Sequence, residues 1–174
     1  MNDYRHQLLI HADAATIYRA LTTQAGLRGW WTTTCHAGEA VGSTIEVLFG
    51  TTRKLLRIAA LSPAREVRWE CLEAHLDVPG VITKTAEWKG TTITFTLAPA
   101  SENATTLTLT HRGLVPTFQC YEICTAGWQQ FLASLKAFAE HGTGTPFTPP
   151  QDETASRPAA PAPHSGHTAS VPRS

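Results

Sequence analysis

The sequence lacks several features that would indicate a familiar class of function. Its 174 residues carry 14 Lys and Arg against 14 Asp and Glu, so the formal net charge is zero, and no basic cluster appears. Nucleic acids and anionic membrane surfaces recruit proteins through concentrated basic patches, so neither is expected as the main partner. No apolar run approaches the roughly 20 residues of a membrane-spanning helix. Residues 1–13 lack a long apolar segment and a small-residue cleavage site, so we expect a cytoplasmic protein.

Motifs of well-known catalytic chemistry are also missing. The chain has no Ser-His-Asp order, phosphate-binding loop, dinucleotide-binding glycine pattern or paired-carboxylate constellation. We therefore predict no catalytic residue and no cofactor, and binding is better supported than catalysis. The four cysteines, Cys35, Cys71, Cys120 and Cys124, are too scattered to resemble a disulfide framework, and in the cytoplasm they would stay reduced.

The strongest pattern that is present covers residues 118–142. Apolar residues recur three and four positions apart, which places them on one face of a helix; they are Tyr121, Cys124, Trp128, Phe131, Leu135 and Phe138. Gly142 is suited to a left-handed cap, and Gly144 and Pro146 oppose continuation. A helix of about 24 residues is roughly 36 Å long, so it could cross an entire sheet.

Before this helix, the chain alternates between short helical and extended patterns. Residues 4–11 predict a strand, and residues 14–23 and 24–31 predict two short helices. Trp30 and Trp31 are adjacent, and neighbours on a helix point about 100° apart, so we expect one in the core and the other at the rim of an opening.

From residue 43 onward the period is two, which predicts about six antiparallel strands. The inward positions in this pattern include Val47, Phe49, Trp69, Phe95 and His111. The inward face of residues 53–61 cannot be assigned, because two consecutive leucines fall on opposite sides. Residues 74–90 are weakly patterned and are interpreted as a long excursion that borders the mouth of a pocket.

These elements predict an α+β domain over residues 1–146, in which the long helix covers the apolar face of a curved antiparallel sheet. Residues 147–174 are rich in Pro, Ala and Ser and poor in large apolar side chains, so we predict a disordered tail there. Two histidines in that tail, His164 and His167, are too few ligands for a metal site.

Three stretches resemble one known family. They are residues 10–31 (IHADAATIYRALTTQAGLRGWW), 87–99 (EWKGTTITFTLAP) and 110–146 (THRGLVPTFQCYEICTAGWQQFLASLKAFAEHGTGTP). They are similar to the activator of heat-shock-protein-90 ATPase-like family of the SRPBCC or START-like superfamily. The resemblance implies the helix-grip fold, a seven-stranded antiparallel sheet around a long C-terminal helix with a cavity between them. That superfamily includes lipid carriers, polyketide cyclases, plant hormone receptors and a co-chaperone domain, so the fold implies no single chemistry.

Large side chains from the sheet and the helix would converge on that cavity. Such a lining, apolar with few polar groups, is typical of a small-molecule site, although the same side chains could simply fill the core. The predicted ligand-binding residues are Trp30, Trp31, Trp69, Phe95, His111, Cys124, Trp128 and Phe131. We expect an apolar small molecule as the partner, and a homodimer is one open oligomeric state.

Other functions stay open. A cyclase-like or hydrolase-like enzyme would need His111 or Glu73 inside the cavity as an acid or base, whereas a hydrogen-bonded core histidine and an exposed glutamate are the structural alternatives. A co-chaperone or stress-response protein would be an interaction module. A redox function would require an exposed Cys120 or Cys124. A zinc site that joined these two to Cys71 and to Cys35 or His36 lacks a recognised zinc-ligand spacing, so no metal is predicted.

Overall fold

The computed structural model describes residues 2–150. In chain order the elements are β1 (Tyr4–Ile10), α1 (Ala14–Thr22), α2 (Gln24–Trp30), β2 (Cys35–Ala37), β3 (Thr44–Phe49), β4 (Thr52–Ser62), β5 (Glu66–His75), β6 (Thr92–Ser101), β7 (Ala104–Arg112) and α3 (Tyr121–His141). Most of the predicted tail, including His164 and His167, lies outside the described residues.

The seven strands form one antiparallel sheet in the order β1-β7-β6-β5-β4-β3-β2. The first strand pairs with the last, so that Tyr4 lies opposite His111. The sheet curves around α3, and this arrangement confirms the predicted α+β class and the helix-grip fold. The long helix buries Cys124, Trp128, Leu132 and Leu135 on the face that packs against the sheet.

Capping residues explain where the helices begin and end. The Asp13 carboxylate accepts the Thr16 N–H at 2.8 Å before α1, and the Thr23 hydroxyl accepts the Gly26 N–H at 3.0 Å before α2. The last helix ends at Gly142, whose φ of 82° provides the predicted left-handed cap. No helix within residues 2–150 is long and apolar enough to cross a membrane.

The expectation that only one of the two adjacent tryptophans enters the core was wrong. Trp30 and Trp31 are both fully buried, and their rings stack with centroids 5.6 Å apart. Trp31 is the C-cap of α2 and its N–H still bonds to the Leu27 carbonyl, but its ring is buried as well because Trp69 and Trp128 stack against it. Trp31 therefore lies beside the Trp30 ring inside the core and also forms part of a cavity wall.

Strand β4 shows why its inward face could not be assigned from the sequence. Its pairing with β5 shifts register between Leu55 and Leu56 and again between Ile58 and Ala60. The buried face nevertheless keeps its alternation, while Leu55 is half-buried on the opposite side, so apolar residues stand on both faces. Three β4 side chains are buried, and they are Lys54, Leu56 and Ile58.

The chain after α3 returns to the domain. Phe147 accepts the Thr33 N–H at 3.0 Å and donates its own N–H to Trp31 at 2.9 Å. Its ring packs on Phe49 with centroids 5.8 Å apart. The sequence analysis assigned Phe147 to the disordered tail. The predicted boundary between domain and tail, after residue 146, stays a prediction.

Candidate functional site

A cavity of about 240 Å³ lies between α3, strands β3 and β4 and the segment that follows β5. The lining residues are Trp31, Phe49, Thr52, Lys54, Leu76, Val78, Trp88, Ile123, Cys124, Gly127, Trp128, Gln130, Phe131 and Phe147. Its volume lies between the roughly 150 Å³ that admits a benzene-sized molecule and the roughly 300 Å³ at which drug-sized pockets begin. The space therefore suits a ligand little larger than one substituted ring.

The eight predicted ligand-binding residues divide into two groups. Trp31, Cys124, Trp128 and Phe131 line the cavity. The other four are fully buried and do not line it, and they are Trp30, Trp69, Phe95 and His111. The second group lies in the core, where it supports the wall residues.

Stacked indole rings form much of the wall and its support. The Trp31 ring stacks on Trp69 at 5.4 Å and on Trp128 at 5.8 Å, and Trp128 in turn stacks on Trp88 at 5.8 Å. The interplanar angles of these pairs are 14°, 20° and 15°. Rings that are packed on both faces have few alternative rotamers, so this wall is rigid.

His111 is a structural residue behind that wall. Its Nδ1 accepts the Trp128 indole N–H at 3.0 Å, so Nε2 carries the proton and donates to the Thr91 hydroxyl at 2.8 Å. That hydroxyl donates onward to the Trp88 carbonyl at 2.6 Å. Burial, reinforced by the nearby Lys54 charge, lowers the pKa of His111 to about 3. A neutral imidazole with both nitrogens bonded within the protein has no free site for proton transfer to a ligand.

The second candidate for acid–base chemistry, Glu73, lies outside the cavity. Its side chain is 62% exposed and forms an ion pair with Arg53 at 3.1 Å. A cyclase-like or hydrolase-like mechanism would need His111 or Glu73 in the cavity, and neither residue lines it.

The charged residue in the lining is Lys54, which is only 8% exposed. Its Nζ lies 3.5 Å from the centroid of the Trp88 ring and 5.0 Å from that of Phe49. Among residues 2–150, Lys54 makes these ring contacts and no side-chain hydrogen bond or ion pair. Burial lowers its pKa, and the neighbouring thiols of Cys124, Cys71 and Cys120 oppose that shift.

Cys124 brings a polarised thiol to the same wall. Its Sγ accepts the Trp88 indole N–H at 3.1 Å, and the side chain is 7% exposed. The neighbouring Cys120 thiol, assisted by the Lys54 charge and by Trp88, lowers the pKa of Cys124 to about 7. The same interaction between the two thiols, together with burial, raises the pKa of Cys120. Within the described part of the chain, no three His, Cys, Asp or Glu side chains lie close enough to hold a metal ion.

The start of α3 and the segment after β5 are held together by reciprocal hydrogen bonds. The Glu87 carboxylate accepts the backbone N–H groups of Gln119 and Cys120 at 2.9 and 3.0 Å. The Gln119 side-chain oxygen accepts the N–H groups of Thr83 and Lys84 at 2.8 and 2.9 Å. These bonds, which we call the clasp, join two segments that contribute Trp88 and Cys124 to the cavity.

The sequence analysis did not find several wall residues. Trp88 lies in the weakly patterned stretch that was interpreted as a pocket border, and its aromatic side chain was the available signal. Lys54 is in phase with Leu56 and Ile58, but the uncertain face of that strand concealed it. Phe49 was placed on an inward face and lies in the cavity wall, whereas Phe147 was excluded by its position in the presumed tail.

Solved structures that resemble this chain support the fold assignment. The Aha1 dimer from Colwellia psychrerythraea is 34% identical, with a TM-score of 0.68, and the match covers 83% of this chain and 100% of that chain. A protein from Chromobacterium violaceum is 26% identical over 80% of this chain and 99% of that one, with a TM-score of 0.58. An HSP90 activator from Plasmodium falciparum, at 17% identity, shares the fold with a TM-score of 0.59 over 78% of this chain and 94% of that one.

The family comparison agrees with these structures. No curated protein matches the chain. The model of the family described as "Activator of Hsp90 ATPase homolog 1-like protein" matches residues 11–140, which begin directly after β1 and include α1, α2, strands β2 to β7 and all of α3 except its last residue. The chain therefore belongs to the family of activator of Hsp90 ATPase homolog 1-like proteins.

Proposed function

We propose that this protein binds an apolar small molecule in the cavity between the sheet and α3. The observation that carries the proposal is the cavity of about 240 Å³ whose walls are Trp31, Trp88, Trp128 and Phe131. Apolar, mostly pre-formed concavities with few polar groups are the usual construction of small-molecule sites. The hydrogen-bonded state of His111 and the exposure of Glu73 favour binding over acid–base catalysis.

A cavity-filling substitution tests the proposal directly. Gly127 lines the cavity in the middle of α3, and a Cβ added there meets no atom within 4 Å. Gly127→Leu should occupy the space and abolish binding of ethylbenzene, measured by isothermal titration calorimetry on the full chain. Gly127→Ala is the matched control, because it adds one methyl group and should stabilise the helix by about 1 kcal/mol while binding is retained.

Native mass spectrometry of protein purified without added ligand, followed by denaturing release, would identify a natural occupant. A retained small molecule that is missing from Gly127→Leu supports the proposal. Wild-type protein that releases nothing and shows no heat of binding with ethylbenzene would contradict it.

A second candidate is a co-chaperone function, because the 34% identical relative is described as Aha1 and the matched family is named for activation of the Hsp90 ATPase. That relative is also described as a dimer, and we propose the same assembly for this chain. Light scattering coupled to size-exclusion chromatography tests the dimer. An Hsp90 ATPase assay with added full-length protein tests the co-chaperone function, and an unchanged ATPase rate at saturating protein would count against it.

A further inference from the structure

Lys54 is the feature of the cavity that a purely apolar ligand leaves unexplained. Its ammonium group offers three N–H donors, yet the side chain is only 8% exposed, lines the cavity and hydrogen-bonds to none of residues 2–150. An amine that is mostly removed from water is disfavoured unless a group inside the cavity replaces the hydration it has lost. The Trp88 and Phe49 rings provide a cation–π contact, which offsets part of this loss but uses no N–H donor.

The surroundings of Lys54 lack a permanent negative charge. None of the residues that line the cavity within the described chain is Asp or Glu. The titratable groups that face Lys54 are the thiols of Cys71 on β5 and of Cys120 and Cys124 at the start of α3, while His111 on β7 is held neutral. Burial raises the pKa of Cys71 to about 11, so that thiol stays uncharged near neutral pH.

We propose that the natural ligand is a small organic carboxylate, whose anionic group binds the Lys54 ammonium while its apolar body packs against Trp31, Trp128 and Phe131. This inference rests on the proposed binding function and adds the chemical class of the ligand. A carboxylate accepts charge-assisted hydrogen bonds from an ammonium group, and these are stronger than neutral ones. The same bonds would return to Lys54 the partners that burial removed.

A Cys124 thiolate would compete with the ligand's carboxylate for the Lys54 ammonium group. The test is therefore run at a pH at which this thiol is protonated. The pKa of Cys124 is about 7, and at pH 6 the thiol is mostly protonated while a simple carboxylate stays ionised. Calorimetric titrations of the full chain at pH 6 would compare phenylacetate, its neutral analogue phenylacetamide and ethylbenzene. The first two have nearly the same shape and differ in charge, whereas ethylbenzene reports binding to the apolar walls alone.

The wild type should bind phenylacetate roughly 10- to 100-fold more tightly than phenylacetamide, the range expected for hydrogen bonds to a charged group. Lys54→Met keeps an unbranched side chain and should remove this preference while its affinity for ethylbenzene stays within about threefold. Lys54→Arg keeps the charge and should retain a preference for phenylacetate.

Each contrary result has a separate meaning. If ethylbenzene binds and the wild type shows equal affinity for phenylacetate and phenylacetamide, the carboxylate inference is wrong and the binding function stands. A preference for phenylacetate that persists in Lys54→Met also overturns the inference. If none of the three compounds binds the wild type, the proposed function itself fails.

Discussion

At the scale of single residues, the Trp128 indole N–H donates a hydrogen bond, whereas the indole N–H of Trp69 in the same stack does not, within the part of the chain that the structure describes. Trp128 donates to His111 Nδ1, whereas the buried Trp69 Nε1 has no hydrogen-bond partner among residues 2–150. The two tryptophans therefore form a natural pair for comparison. Truncation of either removes similar volume from the same stack, but only one truncation leaves a buried acceptor unpaired.

We predict that Trp128→Phe lowers the free energy of unfolding by about 1–3 kcal/mol more than Trp69→Phe, because an unpaired buried acceptor costs about that much. Urea denaturation of both variants at pH 7 measures the difference. Equal destabilisation by the two substitutions would show that the bond to His111 contributes little.

His111 itself links stability to pH. Its folded pKa of about 3 lies below its ordinary value of 6.5, so the unfolded chain takes up the proton first as the pH falls. Its contribution to stability is full above about pH 6.5 and is lost progressively as the pH falls toward 3.

Between pH 6.5 and 4 we expect this histidine to account for a loss of about 3 kcal/mol in the free energy of unfolding. Urea denaturation across that range should show a flatter pH dependence for His111→Gln, whose amide can replace both ring bonds. His36→Gln, which alters an exposed histidine on β2, should keep the wild-type slope. If the stability of His111→Gln depends on pH as steeply as that of the wild type, His111 is not the group that links stability to pH.

At the scale of elements, the clasp between Glu87, Gln119 and their backbone partners holds the N-terminal end of α3 against the segment after β5. Cys120 precedes the helix without a side-chain cap of its own. Glu87, from another part of the chain, accepts the N–H groups of Cys120 and of Gln119 before it and so fixes the position at which the helix starts.

We predict that Glu87→Ala increases amide hydrogen exchange in residues 83–91 and 119–124 and lowers stability by about 1 kcal/mol, as the loss of a helix cap does. Glu122→Ala is the matched control, because Glu122 is exposed in the first turn of the same helix. If hydrogen exchange increases only in the strands, or increases equally in both variants, the clasp does not hold these two segments together.

The elements also show what the sequence can and cannot predict. The helical stripe of α3 and the alternation in β3, β5, β6 and β7 survive in the fold, because each element buries one continuous face. In β4 the buried face also alternates, at residues 54, 56 and 58, but a lysine stands at the first of these positions and the apolar Leu55 lies on the opposite face, so the pattern concealed Lys54. Glu87 and Trp88 lie in a segment with no period, so their contacts depend on tertiary packing that no local pattern encodes.

At the scale of the whole molecule, the burial of the Lys54 amine lowers stability near neutral pH. Burial disfavours its charged form, so its folded pKa lies below its ordinary 10.5. The unfolded chain binds more protons between the lowered pKa and 10.5, and stability therefore rises with pH through that window.

Lys54→Met should consequently raise the melting temperature near neutral pH and lack the alkaline rise in stability, since an apolar side chain carries no desolvation penalty. Differential scanning calorimetry from pH 7 to 10 would measure both effects. Lys89→Met, at an exposed position, is the control and should leave the melting temperature nearly unchanged. A less stable Lys54→Met would mean that the cation–π contacts outweigh desolvation.

The stacked tryptophans have an optical consequence. All five tryptophans of the chain belong to one contact network, because Trp30 stacks on Trp31 and the remaining three join through Trp31 and Trp128. Chromophores so close and so nearly parallel share their excited states, so their circular dichroism should contain an exciton couplet that isolated indoles lack. A molecule seated against three of these rings would disturb the shared excitation, and the protein would report occupancy of its cavity without any added label.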